Sequence, residues 1–265
     1  GKWLSILVKL LFDSLKSISE KAIELFPNQP NVYFFNGLAN IKLKKYSQAI
    51  NALKDGLEFV IDNKAQMLSF YFNLGEAYFY NNEFEKSDKA FDDALKIDSD
   101  NTQVLNNYAY YISTRKNDLE KAEKLARKCN ELQPNNRNYM DTYGWILFQQ
   151  KKYENAIQSY QTAIKNYPQA LNEYPGAIFN QALAYFRLKE FKNTLTKNVD
   201  FLRLYPKHEY APYALTRIGE TLDILGADRS KVVGAYLENY FRFGDKPTGV
   251  VARLRLLSEK MAGMK

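Results

Sequence analysis

A small residue recurs along the chain at Gly37, Gly75, Ala109, Gly144, Ala182 and Gly219, at intervals of 38, 34, 35, 38 and 37 residues. An interior glycine costs a helix about 1 kcal/mol relative to alanine, so a glycine kept at this period needs a packing reason. A large residue stands four before the small one, another usually stands one before it, and a third usually three after. One unit reads Tyr71, Leu74, Gly75, Tyr78, Phe84, Ser87, Phe91, Ala94; another reads Met140, Tyr143, Gly144, Leu147, Tyr153, Ala156, Tyr160, Ala163, Pro168. Within each unit the apolar residues fall at i, i+3, i+4 and i+7, the stripe of a half-buried helix. Short polar breaks, KLKKY, YNNEF, TRKNDL, QQKKY and RLKEF, divide each unit into two helices, a spacing that suits antiparallel hairpins. FPNQP, QPNN and NYPQ stop the second helix, because proline cannot continue one. The small residue then lets the two helices approach. Its expected counterpart is the Ala or Ser twelve positions on: Ala49, Ser87, Ala156.

This pattern resembles the tetratricopeptide repeat, whose signature is a large residue, a large–small pair, an aromatic, then a later Ala, aromatic and Pro. The resemblance spans roughly residues 14–245 and is densest over 68–168. It implies an all-α chain, a right-handed α-solenoid of about six antiparallel helix hairpins, a half repeat before them (Leu15, Ser19, Ala22, Pro27) and a capping helix after them. The expected segments are an N-terminal helix and half repeat over 1–29, four repeats over 30–168, two divergent repeats over 169–245 and a cap over 246–265. In the cap, Thr248 is expected to cap the helix, with Val251, Leu254 and Leu257 packing inward and Arg253, Arg255, Glu259 and Lys260 outward. Extra residues in VIDNKAQM and QALNEY lengthen two junctions. The second lies at a composition shift: 19 of 24 Asn precede residue 169. The segment Phe201–Gly226 also resembles repeats of bacterial cell-envelope assembly proteins, through Tyr-Pro followed by YA-x-x-AL-x-x-IG. That likeness implies a bacterial envelope or periplasmic setting.

Net charge is +7, concentrated late: 15 basic against 10 acidic residues lie in 169–265. The excess forms no dense basic run of the kind nucleic-acid patches show. Even so, Arg229, Lys231, Arg242, Lys246, Arg253 and Arg255 are the candidates if this third meets nucleic acid or an anionic membrane surface. Cys129 is the only cysteine, so no internal disulfide or multi-cysteine metal site forms, and its slot holds Ala in sister units. The chain opens at Gly1 without Met, which leads us to expect an upstream segment. The apolar stretch Trp3–Phe12 is about half the length of a membrane span. It is read as an amphipathic first helix, with the remnant of a signal or anchor as the other possibility; this helix or the cap could mediate self-assembly.

No catalytic, cofactor or metal site is expected. His208 is the single histidine, beyond reach of any Cys or second His, and no phosphate-loop, dinucleotide, zinc-protease or nucleophile-elbow motif occurs. The expected site is instead a partner groove. In such stacks the first helix of each repeat faces the groove, which selects Phe34, Leu38, Phe72, Glu76, Phe79, Asn106, Tyr110, Asp141, Trp145, Phe148, Phe179 and Phe186. Leu183, Thr216 and Glu220 occupy matching positions. A lining of aromatics with a few acids and amides suits an extended or helical protein segment. The chaperone-binding members of the family clamp a carboxylate with Lys, Arg and Asn. Only Asn106 is of that type here, so no such clamp is expected.

Overall fold

The computed structural model describes residues 2–134, 136–166 and 175–262. Pro168 and the QALNEY junction lie outside the described residues, as do the side chains of Glu259 and Lys260. Every regular element among the described residues is a helix, and no strand occurs among them. The chain divides into two units, Gly1–Arg115 and Lys116–Lys265.

The first unit holds α1 (Lys2–Leu25), α2 (Pro30–Lys42), α3 (Tyr46–Glu58), α4 (Lys64–Tyr80), α5 (Phe84–Ile97) and α6 (Thr102–Arg115). α2–α3 and α4–α5 are hairpins, with α1 against α2 and α3 against α4. The second unit holds α7 (Leu119–Leu132), α8 (Arg137–Gln149), α9 (Tyr153–Asn166), α10 (Pro175–Arg187), α11 (Phe191–Leu204), α12 (Ala211–Ile224), α13 (Arg229–Phe243) and α14 (Pro247–Ala262). Here α8–α9, α10–α11 and α12–α13 are the hairpins, and α14 packs on α13. This is the all-α helical-repeat solenoid class.

The hairpin turns follow the period of the small residues. Lys44, Asn82, Lys116, Lys151 and Lys189 all have φ between 54° and 64°, and Gly226 has φ 65°. Each lies seven residues after its small residue. A left-handed residue ends a helix in a double hydrogen-bonded cap, the amide two beyond the helix end reaching back to the last turn. The amide of Lys45 donates to the Asn40 carbonyl at 2.8 Å, Glu83 to Tyr78 at 2.9 Å, Lys152 to Leu147 at 2.9 Å, Glu190 to Tyr185 at 2.9 Å and Ala227 to Leu222 at 3.0 Å. A non-glycine residue tolerates this backbone at a cost of about 1 kcal/mol. The cap bonds and the packed hairpin hold it there.

The glycines fill a different role from the expected one. A Cβ on Gly75 would stand 2.7 Å from the Phe91 ring, on Gly144 2.7 Å from Tyr160, on Gly219 2.8 Å from Tyr236 and on Gly37 2.5 Å from Leu53. The glycine is thus a socket for a large side chain sixteen or seventeen residues on, one turn past the expected Ala or Ser. The twelve-on residue faces the glycine's backbone instead: Ser87 Oγ donates to the Gly75 carbonyl at 2.7 Å. Leu53, Phe91 and Tyr160 are fully buried as a result. Each such burial is worth about 2–3 kcal/mol, which exceeds the helix propensity lost at the glycine.

The two ends of the chain depart from the expected packing. α1 forms, yet Trp3 (80% exposed), Leu4, Ile6, Leu7, Val8, Leu10 and Leu11 face outward, and its deeply buried residue is Ser19. In α14 the residues packed on Val232 and Tyr236 are the buried Ala252 and the half-buried Leu256, while Val251, Leu254 and Leu257 are exposed. The helix begins at Pro247, so Thr248 lies inside it and does not cap it. Gly249 sets the register: a Cβ there would stand 2.2 Å from the Phe243 carbonyl oxygen. Only a small-residue face fits so close to the α13–α14 turn.

Candidate partner-binding site

The groove candidates lie on α2, α4 and α6 in the first unit and on α8 and α10 in the second, with the matching Thr216 and Glu220 on α12. Of the twelve, Tyr110 is exposed and the other eleven are half-buried. Half-burial reflects a divided role, with one edge packed within the unit and the other presented.

In the first unit Phe34 meets Phe70 edge-on, its ring centroid 5.2 Å away, and Phe72 meets Phe91 at 6.1 Å. Phe79 stacks on Tyr111 at 4.2 Å, and Tyr111 also touches Phe91 and Tyr80. The chain of rings continues to Tyr46, which stacks on Tyr80 at 5.2 Å. Burial, then the negative charge of Glu76, raises the Tyr111 pKa, so its phenol stays neutral. Arg115 donates to the Asp88 carboxylate from its Nη2 and Nη1, at 2.6 and 3.1 Å. Asn106 Oδ1 is buried without a hydrogen-bond partner.

In the second unit Trp145 and Phe148 lie one turn apart on α8 with rings nearly parallel, 13° at 5.9 Å. Trp145 Nε1 and Asp141 Oδ1 are both buried with no hydrogen-bond partner. Burial alone pushes the Asp141 carboxyl up to about 6. On α10, Phe179 stacks on Tyr210 at 4.8 Å and touches Phe201. Arg217 of α12 lies over Phe179 at 5.3 Å and Phe186 at 5.8 Å. Its Nη1 is also buried and unpaired, and burial pulls its pKa down to about 10. Arg217 escaped the sequence reading, which selected its neighbour Thr216. The available signal was a cation amid the aromatic candidates of the preceding repeat.

Beside Arg217 is a cavity of about 720 Å³, lined by parts of α10, the 207–210 connection, the start of α12 and the α13–α14 turn. His208 lies in that connection, as expected. Its ring is half-buried against Phe201, Tyr205 and Tyr210, and its Nδ1 accepts the Tyr210 amide at 3.1 Å. Cys129 is fully buried, and burial pushes its thiol up to about 12. Among the described residues no group of three His, Cys, Asp or Glu could hold a metal ion. No described helix is long and apolar enough to cross a membrane.

Hairpins of this length, nested through glycine sockets and closed by left-handed turns, define a helical-repeat protein. The family model for the TPR domain of cytochrome c-type biogenesis protein H matches residues 47–174. The chain has the tetratricopeptide-repeat fold. Among solved structures it is similar to PilF of Pseudomonas aeruginosa (TM-score 0.67, 17% identity, 85% of this chain and 97% of that one). It is also similar to PilW, a type IV pilus biogenesis factor (0.70, 16%, 84% and 97%), and to YrrB, a TPR protein with an unusual peptide-binding site (0.56, 17%, 74% and 96%). At these identities the likeness is one of fold. A comparison with curated proteins finds no match.

Proposed function

We propose that this chain is a non-catalytic scaffold that holds an extended or helical segment of a partner protein on its first-helix faces. One observation carries the reading. Asn106 Oδ1, Asp141 Oδ1 and Trp145 Nε1 all belong to residues singled out for the groove, and all are buried without a partner. An unpaired buried polar atom costs about 1–3 kcal/mol. The three side chains are half-buried, so a change of rotamer brings these atoms to a partner backbone, whose alternating donors and acceptors recover that loss. The half-buried rings around these atoms supply the apolar contact that such segments use. The peptide site of YrrB and the pilus-biogenesis role of PilW support a protein partner, and PilW agrees with a bacterial envelope setting. The test is photo-crosslinking in the native cell from Tyr110 and Trp145, with exposed Lys96 and Gln161 as controls. A partner should be captured from the groove position of either unit and from neither control. Trp145→Ala should weaken its binding at least about 30-fold, as for an aromatic hot spot. Equal capture from all four positions refutes the groove.

A second reading, self-association through the terminal helices, is favoured by the exposed Trp3, Leu7 and Leu11 of α1 and Leu254 and Leu257 of α14. Light scattering separates it from a monomer. The basic last third has less charge to offer a nucleic acid than its count suggests. Arg229 pairs with Asp223, and Arg242 binds Glu238 and the Pro206 carbonyl.

A further inference from the structure

We propose that the cavity at the start of α12 receives an acidic side chain of the partner together with an adjacent aromatic one, with the Arg217 guanidinium as counter-ion. The inference rests on the scaffold reading and names the chemistry of the partner. Three features carry it.

The first is charge. Arg217, Lys207 and Lys246 line the cavity against a single acid, Glu209, with Lys246 also paired to Asp245 at 3.7 Å. Among the described residues no carboxylate comes within ion-pair distance of Arg217; the ring faces of Phe179 and Phe186 are against it, and the opposite charges of Glu220 and Arg187 act on it from farther away. A guanidinium in an apolar setting is well neutralised by a carboxylate, whose two oxygens match its fork.

The second is the wall. Phe179, Tyr210, Tyr213 and Phe243 supply rings, and Tyr213 is 48% exposed with no ring contact of its own among the described residues. A volume of about 720 Å³ falls within the range of small-ligand pockets and takes two or three side chains. A bare anion would leave the rings unused, and a flat bilayer cannot enter the hollow.

The third is preorganisation. Arg242 Nη2 donates to the Pro206 carbonyl at 2.6 Å, tying the 205–210 connection to α13. Asn239 Nδ2 donates to the Pro212 carbonyl and to Thr216 Oγ1, both at 2.8 Å, which fixes the first turns of α12. A pocket whose walls are set before binding loses less entropy when it fills.

His208 is the only imidazole in the chain and stands in the cavity wall, so its ring protons report occupancy by NMR. The probe is the acetylated, amidated pentapeptide Gly-Phe-Asp-Phe-Gly. The controls are its Phe-Asn-Phe and Ala-Asp-Ala analogues, inorganic phosphate, and phosphatidylglycerol vesicles. The probe should move the His208 signals saturably, and each analogue should bind about ten-fold or more weakly. Arg217→Met should abolish the response with the melting temperature held or raised, because an unpaired buried cation has been removed. Tyr213→Ala, at an exposed position, should weaken the response about ten-fold. Equal binding of the Asp and Asn peptides overturns the proposal, as does an unaltered response in Arg217→Met or Tyr213→Ala, or phosphate or vesicles matching the peptide. A melting temperature lowered by Arg217→Met gives Arg217 a structural role and also overturns it. Photo-crosslinking from position 145 in the Arg217→Met chain separates the two readings. Capture that persists there while the probe fails leaves the scaffold standing without this pocket chemistry.

Discussion

The two units follow one repeat rule with different completeness. In the first, both complete hairpins seat a large residue in a glycine socket, Leu53 on Gly37 and Phe91 on Gly75. Rings from Tyr46 to Tyr108 run on without a break. Two of its buried amides are tied in, Asn36 Nδ2 donating to Ser19 Oγ at 3.0 Å and Asn73 Nδ2 to the Ser69 carbonyl, while the Oδ1 atoms of Asn40 and Asn106 stay unpaired. The second unit uses the same sockets at Gly144 and Gly219, but leaves Asp141, Trp145, Arg217 and both amide atoms of Gln181 without hydrogen-bond partners. A socket serves packing, whereas an orphaned polar atom costs stability and is useful only to something that binds. The contrast is one of degree, since Asn40 and Asn106 of the first unit carry orphaned atoms as well.

The largest effect tests the scaffold. Gly75→Val should cost about 3 kcal/mol in urea unfolding, because its Cβ meets the buried Phe91 ring, which has nowhere to move. A loss under about 1 kcal/mol would show that the sockets do not set helix approach. Asp141→Asn tests the other half of the comparison and should stabilise the chain by about 2 kcal/mol at pH 7. The folded carboxyl, near 6, holds its proton above the unfolded carboxyl's range. Stability of the native sequence therefore falls as pH rises from about 4 to about 6, and the variant escapes that fall. Paired thermal melts at pH 4 and 7 should show the gain only at the higher pH. Gln181→Leu restores the apolar residue that Leu74 holds in a sister unit, and should add about 1–2 kcal/mol by calorimetry. If neither variant gains, the second unit is as well satisfied as the first and the contrast collapses. The smallest effect is shared by both units. Lys44→Gly and Lys151→Gly should each add about 0.5–1 kcal/mol by chemical denaturation, since glycine accepts the left-handed turn without strain.

Much of this was legible in the small-residue period alone. It gave the helices, their pairing and the faces on which Phe34, Phe79 and Trp145 lie. The left-handed turns were equally periodic but hidden, because Lys and Asn fill positions that glycine would have advertised. The sockets were read one turn short: sequence spacing locates a face, not the rotamer that fills it. The cap helix was misread for a related reason. Leu254 and Leu257 look like a core stripe, yet Gly249 lets the backbone approach the turn so closely that Ala252 faces inward.

By itself, the order of residues determined the repeat, because helix period and turn chemistry are local and six small residues at a common spacing leave few other ways to bury so many rings. Which polar atoms go unpaired, and the hollow beside Arg217, were decided only in three dimensions. That hollow is built from α10, a connection, α12 and a distant turn, and whether a buried charge finds a partner depends on neighbours far away in sequence.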